Sequence, residues 1–266
     1  MKQLTFLLKY FKYRFSSENA HGIHSPFVFE LYNEVINKKG NYYSFDKIEH
    51  QRKKLLISKK EIEVIDLGTG KSGKRKISEI AERSLKSEKY GQLLFRLAYH
   101  FKPETILELG TSLGISTCYL ASANPNAKVI TIEGSSEIIK EAKRNFSELG
   151  LSNIETVAGN FDQVLPSVIG HASTALSTGR SSVIDFVFFD GNHKKTPTLN
   201  YFHQLLEHIS NDSLFIFDDI HWSAEMEEAW EEIKSHPKVT VTIDLFFLGL
   251  VFFRKEQVKE NFCLRF

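Results

Sequence analysis

Three carboxylates, Asp190, Asp218 and Asp219, each follow a short apolar run, Asp185-Phe-Val-Phe-Phe189 in one case and Leu214-Phe-Ile-Phe217 in the other. Apolar runs of that length bounded by polar turns read as buried strands, and acids just beyond parallel strands share one face of a sheet. Carboxylates brought together in that way repel one another unless something neutralises them, and a hard divalent cation with oxygen ligands would do so. His193 lies three residues after Asp190, where an imidazole can take a proton from a hydroxyl; Lys194 is the rival base. His221, after the acid pair, is a further candidate for the same pocket. Trp230 reads as packing, and Trp222 as packing or a wall of that pocket.

Two glycine loops compete for a nucleotide-like ligand. Val64-Ile-Asp-Leu-Gly68-Thr-Gly70-Lys-Ser-Gly73-Lys74-Arg75 spells G-x-G-x-x-G and nearly spells a phosphate loop, but Arg75 stands where Ser or Thr would hold magnesium. Ile106-Leu-Glu108-Leu-Gly110-Thr-Ser112-Leu-Gly114-Ile-Ser116 fits the generic fingerprint less well. Downstream context favours the second. A ribose-binding acid belongs at the end of the next strand, roughly 20 residues on. Glu133 ends Val129-Ile-Thr-Ile132, 23 residues after Gly110, whereas after Gly68 no strand is expected before Thr105.

The elements that position these residues alternate. Strands are expected over 105–109, 127–132, 154–158, 184–189 and 213–217, separated by helices, so the sheet is parallel and doubly wound. Val239–Asp244 and Phe246–Phe253 leave no room for a crossover and make an antiparallel hairpin. The first part reads as helices, with Phe6, Leu7, Tyr10, Phe11 and Phe15 at helical spacing and Ser25-Pro26 opening a second helix. Residues 1–89 are expected to be a basic, helical extension and 90–266 the catalytic domain.

Composition bounds the rest. The 266 residues are 42% apolar and 25% charged, ordinary for a globular chain. Two cysteines cannot build a disulfide framework or a Cys-rich zinc site. The longest apolar run, Leu245–Phe253, is too short to span a bilayer, and Lys9, Lys12 and Arg14 spoil the likeness of the start to a signal peptide. A cytoplasmic protein is expected. Residues 1–102 hold 21 Lys and Arg against 11 Asp and Glu, and residues 103–266 hold 13 against 22. That split suggests two regions with different tasks.

The segments in order resemble class I S-adenosylmethionine-dependent methyltransferases of the small-molecule O-methyltransferase branch. Ile106–Ser116 resembles motif I, Val129–Gly134 motif II, Ala158-Gly159-Asn160-Phe161-Asp162 motif III, Asp185–His193 motif IV, and Phe217–Trp222 the segment after strand 5. The resemblance covers residues 90–254 and implies a Rossmann-like, mostly parallel seven-stranded sheet with an antiparallel C-terminal hairpin. It implies that Glu108, Gly110, Thr111, Ser112, Gly114 and Ser116 cradle S-adenosyl-L-methionine, and that Glu133 and Gly134 take the ribose. It places Gly159, Asn160 and Phe161 around the adenine, with Asp190 also at the cofactor. In the metal-dependent relatives an acid after strand 4 and a pair after strand 5 bind magnesium, here Asp190, Asp218 and Asp219; relatives often carry Lys where His193 stands. The implied partner is a small-molecule hydroxyl, with a homodimer as a further expectation and the N-terminal part as a roof over the active site. Alternatives are an RNA methyltransferase using the basic N-terminal part, a peripheral arm for RNA or anionic membrane, a phosphate-loop protein using Gly68–Lys74, and a non-catalytic platform.

Overall fold

The computed structural model describes residues 2–65, 72–174 and 183–266, with backbone alone for 2–5 and 171–174. In chain order, α1 (Lys2–Ser16) and α2 (Pro26–Leu31) come first, and α2 runs on as a wider π turn over Tyr32–Ile36. Then come α3 (Tyr43–Leu56), β1 (Glu61–Ile65), β2 (Ser72–Lys76), α4 (Ile77–Ser84) and α5 (Glu88–Phe101). The alternating part follows as β3 (Thr105–Leu109), α6 (Ile115–Ala123), β4 (Lys128–Glu133), α7 (Ser136–Glu148), β5 (Ile154–Ala158), α8 (Phe161–Thr174), β6 (Phe186–Phe189), α9 (Lys195–Leu205), β7 (Leu214–Asp218) and α10 (Ala224–Ser235). It closes with β8 (Val241–Asp244), β9 (Leu248–Phe252) and β10 (Glu260–Cys263). These elements form two compact units, Lys39–His171 and Met1–Lys38 with Ala172–Phe266.

In the unit of Lys39–His171, β3, β4 and β5 run parallel, with Thr105 opposite Lys128 and Val129 opposite Ile154. Every residue of β3 is buried, as a strand covered on both faces requires. Phe45 of α3 packs edge-on to Phe95 of α5 and Tyr119 of α6, at 4.9 and 5.6 Å between ring centres.

The segment around Gly68 departs from expectation. Gly68 and Gly70 lie outside the described residues, but β1 and β2 on either side pair antiparallel, with Glu63 opposite Lys74 and Val64 opposite Gly73. A phosphate loop must lead straight into a helix whose first amides face the phosphates. Here Lys74 sits in the middle of a strand, and α4 begins only at Ile77. The phosphate-loop reading is therefore overturned, and the N-terminal extension is not helical throughout.

In the other unit, β6 and β7 are parallel, β9 lies antiparallel to both β7 and β8, and β10 adds to β8 in parallel. The expected hairpin is β8–β9. With β10 the described strands of the α/β part number five here and three in the other unit, eight rather than seven. Phe189 and Phe217 stack at 4.2 Å beneath the strand ends, and Trp230 of α10 is buried against Gly249. Ser25 caps α2 by accepting from the Val28 N–H, with Pro26 as first helical residue, as its sequence signals. The rings of Phe6, Tyr10 and Tyr13 of α1 surround Phe246. Tyr13 also donates from its hydroxyl to the Leu264 carbonyl at 2.5 Å. Among the described residues no helix is long and apolar enough to cross a membrane.

Candidate active site

The loop leaving β3 is shaped by backbone that most side chains would not tolerate. Gly110 and Gly114 have φ of +111° and +79°. A Cβ on Gly114 would clash with the Phe146 ring. Ser112 also has positive φ, +45°, and is held by two bonds. Its N–H donates to Glu133 Oε2 at 3.0 Å, and its hydroxyl lies 2.7 Å from that of Ser84. The N–H groups of Gly110 and Thr111 both donate to the Ile132 carbonyl, which ties the loop to the end of β4.

Glu133 organises the neighbouring turns as well. Its Oε1 accepts from the Ser135 N–H at 3.0 Å, after Gly134, and its carbonyl accepts from the Gly159 N–H at 3.0 Å. Asn160 Oδ1 accepts from the Asp162 N–H and so opens α8, with the half-buried Phe161 as first residue of the helix. The structure therefore brings Gly110, Thr111, Ser112, Glu133, Gly134 and Gly159 to adjoining strand ends, with α6 starting at Ile115.

Glu108 and Ser116 sit beneath the loop. Glu108 is fully buried, and its Oε2 accepts from Thr117 at 2.5 Å and Thr131 at 2.6 Å. Burial pushes its carboxyl up to about 7, although the hydroxyls of Thr117, Thr131 and Ser116 pull it back. Thr131 is shared with Thr111 at 2.6 Å. Sequence reasoning passed over three supports. Asn145 Nδ2 donates to the Leu113 carbonyl at 2.8 Å, Gln51 Nε2 donates to Asn145 Oδ1 at 2.8 Å, and Ser84 holds Ser112. The signal available was Asn145 itself, a polar residue on the buried face of α7 beside Ile138, Ala142 and Phe146.

The acid cluster belongs to the other unit. Asp218 ends β7 and is 1% exposed. Asp190 follows β6, and Asn192, with φ +55°, turns the chain so that His193 Nε2 comes 3.8 Å from Asp190 Oδ1. One ligand atom from each of Asp190, His193 and Asp218 lies within 4.8 Å of the others. Two carboxylates suit a hard divalent cation such as magnesium or manganese, and the imidazole stands beside them. Asp219 is outside this group. Its backbone turns at φ +54°, its N–H donates to the Phe247 carbonyl, and its own carbonyl accepts from Trp222.

Lys194 is exposed at the start of α9. His221 is engaged elsewhere, with Nε2 2.7 Å from Asp244, Nδ1 3.2 Å from Glu227, and its ring stacked on Phe246. Burial alone would lower its pKa, but the bonds and charges of Asp244 and Glu227 outweigh that and raise it. Trp222 is exposed and Trp230 is core.

A methyltransferase domain family matches residues 107–220. A catechol O-methyltransferase of Niastella koreensis is 29% identical over 136 residues, which are 50% of this chain and 57% of that protein. The chain thus spans little more than half the length of that relative. An SAH-bound methyltransferase of Podospora anserina superposes with a TM-score of 0.60 at 14% identity, over 82% of this chain and 91% of that one. An O-methyltransferase of Streptomyces achromogenes involved in tomaymycin synthesis, solved with SAM, gives 0.55 at 18% identity over 85% and 95%. Both have the Rossmann-like α/β fold found here.

Proposed function

We propose that this chain, which carries a class I methyltransferase domain, moves a methyl group from S-adenosyl-L-methionine to a hydroxyl oxygen of a small molecule. The observation that carries the reading is the Gly110–Gly114 loop tied to Glu133 at the end of β4. Glycine at 110 admits close approach of the donor, Gly114 lets the loop close on Phe146 of α7, and the first amides of α6 suit the donor's carboxylate. Glu133, the acid at the end of β4, takes the ribose hydroxyls. Thr111, Ser112, Ser116, Gly134 and Gly159 wall the site, with Glu108 bracing it from below, and Asn160 and Phe161 flank the adenine. When bound, the donor supplies an electrophilic methyl on a sulfonium.

Asp190 and Asp218 are the carboxylates that would hold a divalent cation, which would supply Lewis-acid polarisation of an oxygen. His193 Nε2 takes the proton from the acceptor hydroxyl, and Asp190 beside it steadies the resulting imidazolium. The exposure of Lys194 favours His193 over it as base. The enzyme's contribution is chiefly positioning. Residues 1–89 act as the extension that shapes the acceptor pocket, and 90–266 as the methyltransferase domain.

Calorimetry with S-adenosylhomocysteine tests the reading. Glu133→Ala should weaken binding by about 1.5–3 kcal/mol, the scale of hydrogen bonds to a charged group. Gly68→Ala should leave binding unchanged. Wild-type affinity in Glu133→Ala, or no binding by the parent protein, would overturn the assignment.

A further inference from the structure

Helix α1 is apolar on two faces. One is the docked face of Phe6, Tyr10 and Tyr13, spaced i, i+4, i+7 and packed on Phe246. The other consists of Leu8, Phe11 and Phe15, spaced i, i+3, i+7, with Leu7 beside them. All four are more than half exposed, Phe15 to 88%. At 3.6 residues per turn, Lys12 borders this second stripe on one side and Arg14 on the other. No acidic residue occurs between Met1 and Ser17. Lys9 lies on neither border and is paired with Glu227 at 2.7 Å. The exposed Trp222 ring stands 6.2 Å from Phe6, beside the same helix.

We infer that the outward stripe of α1 docks on an anionic lipid surface. Four large apolar side chains flanked on both sides by cations match a helix lying in the plane of a membrane. There the stripe enters the boundary of headgroups and acyl chains while Lys12 and Arg14 reach the lipid phosphates. Charge selects this occupant over a second copy of the chain, because two such stripes facing each other would oppose Lys12 and Arg14 to like charges. The leucines select it over RNA, whose single-strand binders present ring faces for base stacking. Docking of the inner face means that the helix is already formed, so ordering it adds no cost on binding. The proposal does not depend on methyl transfer.

Co-sedimentation of the full chain with vesicles, without cofactor or acceptor, tests it. Binding to phosphatidylcholine vesicles containing phosphatidylglycerol should exceed binding to phosphatidylcholine alone by at least about tenfold. Phe11→Ser combined with Phe15→Ser should lose that binding. Lys12→Glu combined with Arg14→Glu should lose the preference for phosphatidylglycerol. Both variants should melt and bind S-adenosylhomocysteine as the parent does, which separates this test from that of the methyltransferase reading. Equal binding to both vesicles overturns the proposal, as does vesicle binding unchanged in either variant. Sedimentation of the parent as a dimer that the serine variant abolishes, or capture of RNA in preference to vesicles, overturns it too.

Discussion

Around the Gly110–Gly114 loop, the contacts that set the geometry are backbone amides meeting carbonyls and one carboxylate, and every donor named there has its acceptor at ordinary distance. Around Asp190 and Asp218, the geometry is set by where two strands end, and two carboxylates and an imidazole come within 4.8 Å of one another. The first region is rigid before any ligand arrives, because unmaking it would orphan buried polar groups. The second is the region whose stability a divalent cation would change, if the acids hold one.

The sharpest way to break this comparison is Gly114→Ala. The added methyl meets the Phe146 ring, and the backbone is left-handed at φ +79°. Strain and overpacking together should cost about 2–5 kcal/mol in urea unfolding and lower S-adenosylhomocysteine affinity. A variant as stable as the parent would mean that the loop is looser than its contacts indicate.

Next in size is a pH effect beneath the same loop. Glu108 is raised from its ordinary value to about 7. Between the two values the native state holds a proton that the unfolded chain has released. This group's contribution to stability is therefore full below the ordinary value, falls as pH rises, and levels off above about 7. The loss is at most about 3.5 kcal/mol, and Glu108→Gln should abolish it between about pH 5 and about pH 8. An unchanged pH slope in Glu108→Gln would remove Glu108 as its source.

The smallest effect expected tests the acid cluster. Magnesium or manganese should raise the melting temperature, by the equivalent of roughly 2.7 kcal/mol at about a hundred times the Kd. Asp218→Asn should blunt the rise and Asp219→Asn should leave it. Equal blunting by both would return Asp219 to the site.

What the sequence made legible follows from what kind of force sets each feature. Strands β3, β4, β6 and β7 are apolar runs buried on both faces, so composition alone marks them. Strands β2, Ser-Gly-Lys-Arg-Lys, and β10, Glu-Asn-Phe-Cys, hold their places through ladder bonds to neighbours, which no local pattern records. The glycine loop and Glu133 were readable because the length of one strand–helix–strand unit fixes their separation. That Asp219 stands apart while His193 comes beside Asp190 was not. Positive φ at Asn192 and Asp219 decides which side chain turns toward Asp190, and neither residue announces that conformation. Gln51, Asn145 and Ser84 escaped notice because their partners lie 94, 32 and 28 residues away.

The stitching of α1 to residues near 264 bears on synthesis. Tyr13 donates to the Leu264 carbonyl, Glu18 bridges to Leu264, and the Arg265 guanidinium donates to the Arg14 carbonyl. A ribosome makes the segment that secures α1 some 250 residues after α1 itself. Until that segment is made the helix has no seat, while the parallel strands of Lys39–His171 are complete and free to form. Contacts of such sequence separation form late, because their loop-closure entropy must be met first. The nascent chain thus carries α1 unseated while some 250 further residues are added, a window in which a chaperone would have its best access to it.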